Sequence, residues 1–380
     1  MAQNVMNKES QINKKVIQEQ VGKSEESIRD IVYNTSAAVS NAILVTLGMG
    51  LLLQTIAGFI QWEPMVQMGE ITKVMLPAAF GAAVASQMKT NTMVMFSAMA
   101  ASTVGANAIF FSNTAVQGIT ATGYAGTQAA GSAIITTGQP ISAVMAAIIA
   151  VLFGKWLSGK TPLDMIIVPA ATTIVGTVSG YYLAMVTTPA LVAVGQFIAS
   201  SVALNPIFGT AIVAMIFGAM TMTPASAAAL AIAIGATGVT SPQAAGAILI
   251  GTTAVFVGFP AMSFHENKIG ATIAQGIVTP KIQFPNLTKN PVLIIPPMIG
   301  AAIAAPIATL VFNVTAPFAM AGIGFNSFIV PLALAGSNPV AFAAYMGVGV
   351  IVPVVVSFVG YRVMRKMGWV KPNQLHLEMI

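Results

Sequence analysis

From Met165 to His265 the chain carries no Asp, Glu, Lys or Arg. A water-facing surface cannot be built from such a stretch, since soluble domains average about 25% charged residues. The whole chain has 7% charged and 56% hydrophobic residues over 380 positions. Lipid must therefore replace water as the solvent for most side chains. In lipid every backbone polar group has to be paired internally, which leaves helices or closed barrels. Apolar runs of about 20 residues select helices. The expected class is an all-α polytopic membrane protein of about ten transmembrane helices with re-entrant hairpins. The 34 Gly and 21 Pro fit that class, because both are commoner in membrane helices than in soluble ones.

The hydrophobic runs place spans at 36–60, 71–88, 92–111, 138–157, 163–187, 205–222, 241–263, 266–280, 291–313 and 338–364. The eighth is short and polar at its head. Lys8, Lys14, Lys15, Lys23 and Arg29 lie before the first span, and Arg362, Arg365, Lys366 and Lys371 at the end of the last. The positive-inside rule then puts both termini in the cytoplasm and makes the number of crossings even. Ten crossings bring Lys89, Lys155, Lys160, Lys281 and Lys289 inside as well; Lys73 alone runs against the pattern.

Three stretches read poorly as spans: 112–137, 223–238 and 314–337. They suit re-entrant hairpins or loops outside the membrane. Irregular backbone at membrane depth is tolerated only where protein buries it or it lines a cavity. Residues 1–30 are polar and show no cleavable signal peptide. Ile12, Val16, Ile17 and Val21 allow a short amphipathic helix there, although a solvated tail is the simpler reading. The net charge of +6 sits at the ends and in short loops, so it reads as topology and not as a nucleic-acid face. With no cysteine and two histidines, thiolate metal sites, cysteine nucleophiles and zinc centres are not expected, and no cofactor is called for. No P-loop or hydrolytic triad is present, so the chain does not itself couple transport to ATP.

The charge-free stretch ends abruptly on His265, Glu266, Asn267 and Lys268. An ionisable group within a membrane protein is a functional candidate by default. A carboxylate beside an amide suits sugar hydroxyls, because together they donate and accept hydrogen bonds. The segment that follows is short enough to be a half-helix facing a cavity, with Gln275 on it. Thr223, Pro224 and Ser226 form a helix-start signal, and Thr137 and Gln139 precede another. Such starts cap helices and also offer unpaired N–H groups to polar ligands. Gly176 and Gly180 have the spacing that lets membrane helices approach closely, and the 23 Met are read as core filler.

Longer runs carry a resemblance. "ILVTLGMGLLLQTI" (43–56), "SAMAASTVGANAI" (97–109), "ITTGQPISAV" (135–144), "TPASAAALAIAI" (223–234), "FVGFPAMSFHEN" (256–267) and "TPKIQFPNLTKNPVLIIPP" (279–297) resemble the second EIIC family of the phosphotransferase system. That family also contains a regulator of clostridial toxin production. The resemblance extends from about residue 30 to the C-terminal "LHLEM".

It implies a homodimeric permease in a bacterial cell membrane, carrying a small hydroxylated solute, a sugar or sugar acid, by alternating access. It divides the chain into a cytoplasmic segment (1–30), an N-terminal half at the dimer interface (31–204), a solute-binding C-terminal half (205–365) and a cytoplasmic tail (366–380). By role, Glu266 and His265 stand for the glutamate and histidine that hold sugar in such permeases. Asn267, Gln275, Thr223, Ser226, Thr137 and Gln139 assist. Phosphoryl transfer needs a IIA histidine and a IIB cysteine, so those partners would be separate proteins. Without them the fold would work as an ion-coupled carrier or a membrane sensor of gene expression.

Overall fold

The computed structural model describes residues 35, 38–39, 41–223, 227–236, 238 and 241–377. The expected amphipathic segment over 1–30 and Ser226 lie outside these. The described chain is helical apart from one ribbon of strands.

A recurring local signal starts the helices: a polar capping residue followed by proline. Gln139 caps α5 (Pro140–Leu157), Asn205 caps α7 (Pro206–Met222), Ser241 caps α9 (Pro242–Ser263) and Asn338 caps α15 (Pro339–Lys366). In each case the side-chain oxygen accepts from a backbone N–H in the first turn. The proline costs nothing there, since its missing N–H is one the helix leaves unpaired.

The remaining helices are α1 (Asn41–Ile60), α2 (Glu63–Val74), α3 (Leu76–Gln87), α4 (Thr92–Gly105), α6 (Asp164–Leu204), α8 (Ala227–Ala236), α10 (Ile269–Val278), α11 (Phe284–Lys289), α12 (Pro291–Val311), α13 (Phe318–Ala321) and α14 (Ile329–Ser337). A 3₁₀ turn, Pro280–Gln283, joins α10 to α11.

Each of the ten expected spans overlaps helix, though 92–111 and 266–280 only in part. Among the described residues six helices are long and apolar enough to cross a membrane, or seven if α2 and α3, bent by 50°, count as one. The other three expected spans, 92–111, 205–222 and 266–280, correspond to the shorter helices α4, α7 and α10. The fifth span was expected to end at 187, yet α6 runs 41 residues with Pro169 and Pro189 inside it.

Residues 112–137 do not re-enter as a helical hairpin. They belong to a nested antiparallel ribbon of β1 (Ile109–Phe111), β2 (Val116–Ile119), β3 (Ala125–Gln128) and β4 (Ala133–Ile135). Ile109 pairs with Ile135 and Val116 with Gln128, and β2, β3 and β4 are exposed throughout. Gly123 takes φ +85° at the tip. Unpaired strand edges are not tolerated in hydrocarbon, so this ribbon projects beyond it. The other two irregular stretches hold short helices, α8 in one and α13 and α14 in the other. α8 and α13 pack together, and a Cβ on Gly322 would stand 2.5 Å from Ala228 Cα.

Two cores result. One joins α3, α4 and α5 with Val168 of α6. Gly176 and Gly180 let α6 lie close there, since added Cβ atoms would fall 2.6 Å from Ala101 Cβ and 2.9 Å from Ala101 O. The second and larger core wraps α9, whose best spanning window is 89% buried against 17% for α6. α9 is thus the axis of the C-terminal half, and α6 lies outermost.

Candidate functional site

Four described elements contribute polar groups to a cavity of about 240 Å³. α1 contributes Asn41, Leu44 and Gly48. The end of α7 contributes Thr221 and Thr223. The segment after α10 brings Thr279 and Lys281, and Asn326 comes from the break before α14. Two of the bordering stretches, Leu44–Gly48 and Ala274–Val278, are π-helical. Single π turns inside helices mark functional sites with unusual frequency.

The polar groups are held in place by local bonds. Thr223 Oγ1 donates to Met220 O at 2.8 Å, and Thr221 Oγ1 to Phe217 O at 2.8 Å. Asn326 Nδ2 donates to Val278 O at 2.9 Å, which ties the break before α14 to the π turn of α10. Thr279 Oγ1 accepts from Lys281 N at 3.3 Å and so caps the 3₁₀ turn. Among the described residues lining the cavity, Lys281 is the one with a formal charge. The arrangement offers hydroxyls, an amide and an ammonium to a small oxygen-rich molecule.

Of the residues expected from sequence, Thr223 lines this cavity and the others described do not. Glu266 is enclosed by the chain's own C-terminal segment. Its Oε1 accepts from Tyr361 OH at 2.7 Å and its Oε2 from Leu375 N at 3.0 Å, with Arg365 Nη1 at 3.6 Å. Its side chain is 4% exposed. Asn267 donates to Leu375 O at 2.8 Å and accepts from Leu377 N at 2.8 Å. His376 Nδ1 lies 2.6 Å from Glu266 O. His265 is exposed, with its ring 3.8 Å from that of Phe264, and Lys268 is exposed.

Gln275 is buried, and its Oε1 accepts from Ser263 Oγ at 3.1 Å and Gln283 Nε2 at 3.0 Å. Gln283 Nε2 also donates to Leu375 O at 2.8 Å. Asn286 Nδ2 donates to His376 O at 3.0 Å. Glu266, Asn267, Gln283 and Asn286 thus clasp residues 375–377 to the segment that ends in the cavity wall, with Gln275 bracing Gln283. Ile282 and Phe284, on either side of Gln283, line the cavity.

Gln139 is buried and serves as a cap. It accepts from Ser142 N, and its Nε2 donates to Thr187 Oγ1 at 3.0 Å. Thr137 is half-buried just ahead of it, away from the cavity. Sequence reasoning missed Thr279 and Lys281. Lys281 had been read as a topology charge; the Thr-Pro start ahead of it was the available signal.

A second cavity of about 510 Å³ between α9, α10 and α15 is lined by apolar groups such as Pro260, Phe264 and Phe358. Its chemistry suits lipid chains better than a polar solute.

No curated protein matches the chain. The family model described as "Phosphotransferase system, EIIC" matches residues 33–377. That range takes in both cores, the central cavity and the C-terminal clasp. This polytopic membrane chain therefore belongs to the EIIC family of the phosphotransferase system.

Proposed function

We propose that this protein is a permease of a bacterial cell membrane that carries a small hydroxylated solute, a sugar or sugar acid, by alternating access. The observation that carries the reading is the central cavity, where Thr221, Thr223, Thr279, Lys281 and Asn326 meet between α1 and the C-terminal half. Most of the lining lies within 205–365, the half proposed to bear the solute. Residues 41–48 supply the facing wall. Lys281 holds the solute by a charge-assisted hydrogen bond, and the threonines and Asn326 meet its hydroxyls. Glu266, Asn267 and Gln275 act at one remove, by holding the wall in which Lys281 sits. The proposed molecule is a homodimer with both termini in the cytoplasm. Its solute is phosphorylated by the phosphocysteine of a separate IIB protein, which is recharged by a IIA protein, since the chain has no cysteine of its own.

Uptake into sealed vesicles tests this. A panel of hexoses and hexonic acids is offered with phosphorylated IIA and IIB proteins, and separately with ion gradients alone. Lys281→Met is expected to raise the KM about tenfold or more, the worth of one hydrogen bond to a charged group at ~1.5 kcal/mol. Unchanged uptake by that variant would remove the cavity from the mechanism. Uptake driven by an ion gradient without phosphoryl donors would assign the same cavity to a secondary carrier.

A further inference from the structure

A third cavity, of about 550 Å³, lies further along α1. The central cavity borders α1 at Ile43, Leu44 and Gly48; this one borders it at Leu51, Gln54, Thr55 and Gly58. On the facing chain the same division recurs. Gly322, Asn326 and Ile329 face the central cavity, whereas Met320, Val330 and Ala333 face the other. The two spaces are therefore stacked along one pair of elements, α1 and the 315–337 segment. They are separated by about one helical turn, ~5 Å.

The partition is thin and dry. Leu47, Ile329 and Val330 are fully buried at 0% exposure, and a Cβ on Gly48 would stand 3.1 Å from Ile329 Cδ1. Gly48 thus fits the Ile329 side chain against the helix backbone with no room to spare. Beyond the partition the third cavity is lined mainly by apolar groups such as Leu51, Phe59 and Leu334, with Gln54, Thr55, Gln61, Thr315 and Ser337 as the polar groups on its wall; Gln54 is itself bonded to Glu70 and Lys73. The polar groups suit the hydroxylated solute proposed for the central cavity.

The element carrying Ile329 is mounted on strained backbone. Ser327 and Phe328 have φ of +49° and +57°; Gly324, which takes the same region without strain, has +58°. A bulky residue in the left-handed region is an outlier, and two adjacent non-glycine residues there are rarer still. Strain of this kind concentrates at switch segments, where a second conformation relieves it. Asn326, within the same turn, is bonded to the cavity wall at Val278 O. A change at the central cavity is thereby linked mechanically to the start of α14.

We propose that the central and third cavities are successive stations of one solute path, with the contact of Gly48 and Ile329 as the gate between them and residues 324–328 as its hinge. The proposal rests on the reading of the central cavity as the solute site.

The absence of cysteine makes a direct test available. Thr279→Cys reports on the central cavity and Ser337→Cys on the third, each as a single cysteine in the full chain. Vesicles of one orientation are treated with a membrane-impermeant thiol reagent from either side. The expected result is labelling of the two positions from opposite sides. Ile329→Ala, added to Thr279→Cys, should speed labelling from the Ser337 side at least tenfold, and Gly48→Val should leave it at background. Labelling of both positions from one side, or no acceleration in a folded Ile329→Ala variant, overturns the gate. If Ile329→Ala fails to fold, the sidedness of the two single-cysteine proteins decides by itself. Protection of Thr279→Cys by a hexose or hexonic acid is scored separately. Its failure removes the solute-site reading while the labelling pattern still decides the path.

Discussion

Replacing Glu266 by alanine is expected to lower stability by about 3 kcal/mol and to expose the C-terminal segment to proteolysis. The carboxylate receives Tyr361 OH and Leu375 N, on residues 3% and 0% exposed. Without it both donors stay buried and unpaired, at ~1–3 kcal/mol each. Arg365, with its side chain 40% exposed, returns to solvent and adds little. Unfolding in mild detergent measures the first effect, and cleavage by a broad-specificity protease within 369–377 the second. Tyr361→Phe alone should cost about 1 kcal/mol. The double variant should cost less than the sum, because Glu266→Ala already removes that bond. A Glu266→Ala protein with the parent's midpoint and cleavage pattern would contradict the clasp. A loss of solute affinity in Glu266→Gln with the clasp intact would instead give the carboxylate a direct role in binding.

Gly251→Ala should be about as damaging, at ~3 kcal/mol, the upper range for overpacking. A Cβ at 251 would stand 2.0 Å from Ala214 O and 2.6 Å from Ala214 C. The obstacle is backbone, so no rotamer relieves it and α7 and α9 must part. The same helices also meet at Gly218, where a Cβ would stand 2.7 Å from Gly251 O. Because a carbonyl is struck, Ala214→Gly should give no rescue. Recovery of the unfolding midpoint in that double variant would show that the helices meet in some other way. Small residues bring membrane helices together because lipid offers apolar surfaces no reason to hide from it.

The helices were legible because lipid imposes one rule on long apolar runs, and polar-proline starts mark where they begin. The ribbon at 109–135 was not read as strands. Its alternation is weak, and a stretch of Gly, Thr and Ala without charge looks the same as a loop. α6 outran its expected end because the reading stopped at one membrane thickness, whereas Pro189 does not break the helix. The polar cluster at 265–268 stands out in the sequence, but the partners of Glu266 do not. Tyr361 and Leu375 lie 95 and 109 positions away, and nothing local announces such pairings. Thr223 reads as part of a helix start in the sequence, whereas the structure shows it ending α7. Lys281 was seen only as a charge that sets topology.

The 41 residues of α6 extend about 60 Å, twice the ~30 Å of a hydrocarbon layer. Leaning by as much as 40°, the steepest tilt commonly seen, still leaves about 45 Å of apolar rod to accommodate. Exposed apolar side chains run along it from Met165 to Leu204, so neither end escapes into water cheaply. The surrounding acyl chains must stretch toward it or the rod must flex at its prolines. Such a helix is expected to make the protein sensitive to bilayer thickness. Reconstituted in short-chain and long-chain lipids, it should turn over fastest in the longer ones.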